Sequence, residues 1–127
     1  MHMKMWLATS LLALTLICHP LRAHQDPEIA GYIQVDGGRI WYRINGAEYI
    51  GKTPAIIVAH GGPGGHHRAN MPYVALADEY PVILYDQLDS GHSDNPGLKE
   101  NWQVKRFVAE IDHIRQRLKL DEVIIAG

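Results

Sequence analysis

A single cysteine, Cys18, stands in the 127 residues, so no intramolecular disulfide can form and stability has to come from a packed core. No run of basic residues exists. With 12 Lys+Arg against 14 Asp+Glu the formal net charge is −2, and neither nucleic acid nor an anionic membrane surface is an implied partner. No apolar run reaches the roughly 20 residues that a bilayer-crossing helix needs. Internal repeats, low-complexity tracts and linkers are missing too, and the length allows one small domain. What remains is a globular composition, 46% hydrophobic and 20% charged.

The first 23 residues differ from the rest. Lys4 gives a short positive start, residues 5–18 are almost entirely apolar, Pro20 breaks the pattern, and Ala23 offers a small residue at a cleavage position. That three-part layout predicts a secretory signal peptide over 1–23, followed by a domain over 24–127. Ile17 stands before Cys18 where a lipoprotein signal wants a small residue, so no lipid anchor is expected. Cleavage after Ala23 removes Lys4, Arg22 and no acid, and the charge becomes 10 − 14 = −4. The only cysteine leaves with the signal. The expected destination is outside the cytoplasm, secreted or periplasmic, with no membrane association after cleavage.

In the domain, Tyr32, Ile33 and Val35 precede Asp36-Gly37-Gly38, and residues 39–44 follow. Asp-Gly between β-rich runs predicts a hairpin, because glycine supplies the positive φ of a tight turn. On its second strand Ile40, Tyr42 and Ile44 alternate with Arg39, Trp41 and Arg43, which predicts one half-exposed face. Residues 55–59, 82–85 and 123–126 are continuous apolar runs, the pattern of parallel strands covered on both faces. Two helices are predicted between them. One begins with Pro72 in its first turn, with Tyr73, Leu76, Ala77 and Tyr80 on one face. The other is capped by Asn101 and carries the stripe Val104, Phe107, Val108, Ile111, Ile114 and Leu118, with Arg115, Arg117 and Lys119 complementing the dipole at its end. The order is a hairpin followed by β-α-β-α-β. This predicts an α/β fold, a mostly parallel sheet with right-handed crossovers and helices on both faces.

The strand at 55–59 runs into His60-Gly61-Gly62-Pro63-Gly64-Gly65. Five of these six residues are glycine or proline, so the loop turns sharply with a bare backbone whose N–H groups can face a ligand. No Gly-Lys-Ser/Thr follows, which argues against a phosphate-binding loop. His60, His66, His67 and His92 lack HxxxH spacing and a cysteine partner, so they read as surface or loop histidines and no metal is expected. Gly91-His92-Ser93-Asp94-Asn95 imitates a nucleophile turn, but no strand enters it directly and Pro96-Gly97 follow in place of a helix. Ser93 therefore reads as a loop-stabilising residue.

His60-Gly61-Gly62-Pro63-Gly64 resembles the HGGPG signature of the proline iminopeptidase family of α/β-hydrolases. Asp86-Gln87-Leu88-Asp89-Ser90-Gly91-His92-Ser93 resembles that family's D-Q-x-G-x-G-x-S segment, at family-like spacing. The resemblance covers residues 31–127. One position departs: Asp89 stands where the family usually has glycine.

The resemblance implies the N-terminal half of an α/β-hydrolase fold and a serine aminopeptidase that releases N-terminal proline through an acyl-enzyme. Its substrates would be short peptides or amino-acid amides, with no cofactor. Gly62, and less directly Gly61, would supply half of the oxyanion hole. Gly127 is the residue to open Gly-x-Ser-x-Gly after the strand at 123–126. In this fold the acid and histidine follow the serine, so no catalytic triad member is expected before Gly127, and the chain alone is expected to be inactive. Another α/β-hydrolase activity (amino-acid amidase or esterase) and a non-catalytic truncated product are the alternatives.

Overall fold

The computed structural model describes residues 26–127. The signal peptide expected over 1–23 lies outside the described residues. Among the described residues no helix is long and apolar enough to cross a membrane.

Strands β1 (Ile29–Val35) and β2 (Gly38–Asn45) form the expected hairpin, paired antiparallel from Ile29↔Ile44 to Val35↔Gly38. Gly37 turns it at φ 88°, a conformation open to glycine. β3 (Ala55–Val58), β4 (Val82–Asp86) and β5 (Val123–Ala126) are the three apolar runs. The sheet order is β1-β2-β4-β3-β5. β2 meets β4 antiparallel, while β3 pairs parallel with both β4 and β5. The sheet is therefore mixed: antiparallel on the hairpin side and parallel where the loops carrying the motifs emerge.

Alternation along the central strands divides the core in two. Ile57, Ile83 and Tyr85 join Ile33, Val35, Ile40 and Ile44 on the face covered by helix α1 (Val104–Arg117), through Ile111, Ile114 and Leu118. Ile56, Val58, Val82 and Leu84 face the other way, against Val74 and Ala77. Both faces of β3 and β4 are thus buried, which is why their sequences are apolar without alternation.

Four expectations change. The first helix is a 3-10 run over His67–Leu76, with Pro72 inside it and not at its start. Proline lacks an N–H and cannot support an α-helical ladder there. Helix α1 starts after Gln103, and Asn101 closes the short 3-10 turn Lys99–Asn101 in front of it, so it is no cap. The apolar stripe of α1 is split: Ile114 is completely buried, whereas Val104 and Val108 are 78% and 60% exposed. The face of β2 expected to be half exposed is also covered in its second half. Arg43 is buried, with its guanidinium on Asn45 Oδ1 at 2.8 Å and on Met71 Sδ of the 3-10 run at 3.4 Å.

Candidate functional site

The parallel strands β3 and β4 end side by side, and the two motif loops leave from their C-terminal ends. The first loop is Gly61–Gly65. Gly61, Gly62, Pro63 and Gly64 are exposed, and among the described residues no acceptor takes the Gly61 or Gly62 N–H. Gly65 closes the turn so tightly that a Cβ there would lie 2.0 Å from the Gly61 carbonyl oxygen.

His60 anchors this loop. It is buried, and the Gln87 backbone N–H donates to its Nε2 at 3.0 Å. Accepting that bond requires an unprotonated Nε2, so the ring proton sits on Nδ1, 3.0 Å from the Gly61 carbonyl oxygen. The Gln87 amide donates to the His60 carbonyl at 3.3 Å, and Ser90 Oγ lies 3.1 Å from Nε2 while donating to the Gln87 carbonyl at 2.8 Å. A neutral imidazole therefore bolts the β3 loop to the β4 loop and fixes where the Gly61 and Gly62 backbone points.

Asp86, at the end of β4, is completely buried. Its Oδ1 accepts from the His67 N–H at 2.7 Å and from His67 Nδ1 at 3.0 Å, and its Oδ2 accepts from the His92 N–H at 2.8 Å and faces His92 Nδ1 at 3.2 Å. Burial pulls this carboxyl upward, but the backbone N–H groups of His92 and His67 and the His67 side chain outweigh it and hold it below the usual carboxylate range. Burial pushes the His67 imidazole below its ordinary value, only partly offset by Asp86. At neutral pH the His67–Asp86 contact is accordingly a hydrogen bond and not an ion pair. Trp41 lies against both rings, with centroids 4.5 Å from His67 and 4.8 Å from His92.

The rest of the second motif holds this loop in shape. Gly91, at φ 53°, passes so close to Asp86 that a Cβ would lie 2.1 Å from Oδ2. Ser93 Oγ donates to the Asp86 carbonyl at 2.6 Å and accepts from the Trp41 N–H at 2.7 Å. Asp89 adopts φ 67° and its carboxylate accepts from the Gly97 N–H at 2.6 Å. Aspartate is among the few residues other than glycine that enter this region readily, which accounts for its tolerance where the family has glycine.

The reading of the histidines as surface or loop residues holds for the exposed His66 and His92 and is corrected for the other two. His60 and His67 are buried, and His67, Asp86 and His92 converge although 25 residues of sequence separate the two histidines. No local spacing carries that signal, because β3 and β4 bring the segments together. Trp41 and Ser90 were likewise not singled out.

Glu110 had a readable signal, since it falls on the α1 stripe between Phe107 and Ile114. It is buried behind the β4 loop and accepts from the Leu88 N–H at 3.3 Å. Burial raises its carboxyl to about 7. Arg106 approaches only to 3.7 Å, too far for a hydrogen bond, so desolvation prevails over that ion pair.

β5 completes the arrangement. Its register, Val58↔Ala126, and the Ala59 N–H bond to the Ala126 carbonyl at 2.8 Å bring Gly127 against Ala59, just before the glycine loop. A cleft of about 310 Å³ between residues 50–55 and 119–122 lies at the other end of these strands and takes no part.

Comparison with known proteins agrees with this geometry. The alpha/beta hydrolase fold family matches residues 54–127. A proline iminopeptidase of Heyndrickxia coagulans is 48% identical over 97 residues, which cover 76% of this chain and 33% of that protein. The crystal structure of VinJ superposes with a TM-score of 0.71 at 28% identity, over 79% of this chain and 35% of that one. The proline iminopeptidase of Mycobacterium smegmatis superposes with a TM-score of 0.65 at 26% identity, over 76% and 34%. The chain spans about a third of the length of the curated relatives it matches. It belongs to the alpha/beta hydrolase fold family, and its sequence is homologous there to the proline iminopeptidases.

Proposed function

We propose that this chain carries the oxyanion-loop third of a serine hydrolase that releases N-terminal proline from short peptides or amino-acid amides. One observation supports the reading above the others: Gly127, at the end of β5, lies beside Ala59, while the Gly61 and Gly62 N–H groups have no acceptor among the described residues. A strand-to-helix turn opened by Gly127 would lift a serine next to those N–H groups. Serine attack on the substrate carbonyl forms the C–O bond and moves negative charge onto the carbonyl oxygen. Collapse of that intermediate breaks the C–N bond and leaves an acyl-enzyme. A preformed N–H aimed at the oxyanion is worth about 3–4 kcal/mol. His60, through its bonds to Gly61 and Gln87, is a positioning residue for that donor.

In this reading the serine, acid and histidine come from segments matching the other two thirds of the relatives, and the 127 residues alone turn over nothing. The leader over 1–23 directs export, so the N-terminus of the protein recovered outside the cytoplasm should begin near His24. Recovery of a soluble cytoplasmic form beginning at Met1 would contradict that part.

The activity itself is tested with the protein purified from its host. Proline p-nitroanilide should be hydrolysed, its N-acetylated form should not, and a serine-directed phosphonate should block turnover. Equal rates on both anilides would remove the aminopeptidase assignment, and turnover unaffected by the phosphonate would remove the serine mechanism.

A further inference from the structure

Asp86 is completely buried at the end of β4, and the imidazoles of His67 and His92 converge on its carboxylate from two different segments. Each carboxylate oxygen takes one backbone N–H, from His67 and from His92, and its remaining lone pairs face the two imidazoles. Both Nδ1 atoms lie near one carboxylate oxygen, Oδ2, at 3.1 Å for His67 and 3.2 Å for His92, a little under the ligand–ligand distance around a tetrahedral ion bound at about 2.0–2.2 Å. All three donor atoms lie within 4.8 Å of one another.

We propose that His67, Asp86 and His92 bind a divalent transition metal ion of the zinc class. Two imidazole nitrogens and a carboxylate oxygen suit that class better than calcium or magnesium, which prefer all-oxygen sites. Binding needs both imidazoles to carry their ring proton on Nε2, so that Nδ1 offers its lone pair to the ion. His92 has a side chain 51% exposed, so a fourth coordination position would face solvent on its side. His67 begins the 3-10 run and His92 lies in the loop after β4, so the ion clamps both segments at the end of the sheet from which the glycine loop leaves. This site is separate from the acyl-transfer machinery and stands whether or not the peptidase reading does.

The test is titration of the purified protein with cobalt(II) and zinc(II) alone. One equivalent of cobalt should give the strong visible absorption of a tetrahedral site, zinc should displace it, and emission from Trp41, packed against both rings, should change in step. His92→Ala and His92→Arg should each weaken binding more than about tenfold, given that losing even an outer partner of a ligand has effects of 10–100-fold. The arginine variant can still pair with Asp86, so it preserves the loop while removing the ligand. His113→Ala, at a half-buried position on α1, should bind as the unaltered protein does. Absence of saturable cobalt binding would overturn the proposal and leave Asp86 held by hydrogen bonds alone. Affinity in both His92 variants equal to that of the unaltered protein, or a loss in His113→Ala as large as theirs, would do the same.

Discussion

At Gly91 the backbone passes so close to Asp86 that the smallest side chain collides with the carboxylate. Gly91→Ala therefore has to displace Asp86 or open the loop, in addition to straining a positive φ, and should destabilise by at least about 2 kcal/mol. A urea midpoint unchanged from the unaltered protein would refute that packing. Glu110 gives a pH signature. Its carboxyl is raised in the fold, from an ordinary 4.5 to about 7, so the native state binds more protons than the unfolded chain. The associated stability is complete below pH 4.5 and is lost as pH rises through about 7, amounting to about 3 kcal/mol. His67 and Asp86 act in the opposite direction. Both are depressed, so their contributions are lost as pH falls, His67 below its ordinary 6.5 and Asp86 at more acid pH. Relative to the unaltered protein, Glu110→Gln should thus gain stability between pH 5 and 8; parallel stability curves would place Glu110 in water. Some of this was legible in the residues: the glycine loop, the tolerance of aspartate at position 89, and Ser93 as a residue of a loop and not of a nucleophile turn. The burial of His60 and His67 was not, because it depends on Gln87, Ser90 and Asp86 arriving from another strand.

The elements divide along similar lines. β3 and β4 were readable because strands buried on both faces leave no polar alternation, β5 shows the same apolar run although Ile124 and Ile125 are exposed, and Asp36-Gly37 announced the hairpin turn. The segment around Pro72 carries the apolar spacing of a helix, and over so few residues that spacing cannot tell a 3-10 run from an α-helix. For α1 the period was right and the depth was not. Val104 and Val108 lie on the stripe's outer edge, while Ile114 is at its centre. Ile114→Ala should cost about 2–5 kcal/mol as an unfilled core cavity. Val108→Ala should stay within about 0.5 kcal/mol, as surface changes do. Equal losses at the two positions in chemical denaturation would mean that the helix presents a different face to the sheet.

For the whole molecule, the open side of the sheet is the telling feature. β5 pairs with β3 on one side and, among the described residues, with no strand on the other, and Ile124 and Ile125 are 46% and 51% exposed. An uncovered apolar edge is a template for association. The 127 residues by themselves should bind hydrophobic dyes strongly and self-associate, and Ile125→Lys should reduce both. A monomer that binds no dye would show that this edge is protected. The same geometry carries the central claim, that the Gly61–Gly62 backbone beside the end of β5 is a working oxyanion loop. It is tested most directly by joining residues 26–127 to the remaining two thirds of the Heyndrickxia coagulans relative and measuring kcat/KM on proline p-nitroanilide. The account predicts turnover that Gly62→Pro, which deletes one N–H donor and cannot hold the loop's φ of 158°, lowers by at least about 10²–10³-fold. A folded hybrid with no turnover, or one indifferent to Gly62→Pro, would contradict it.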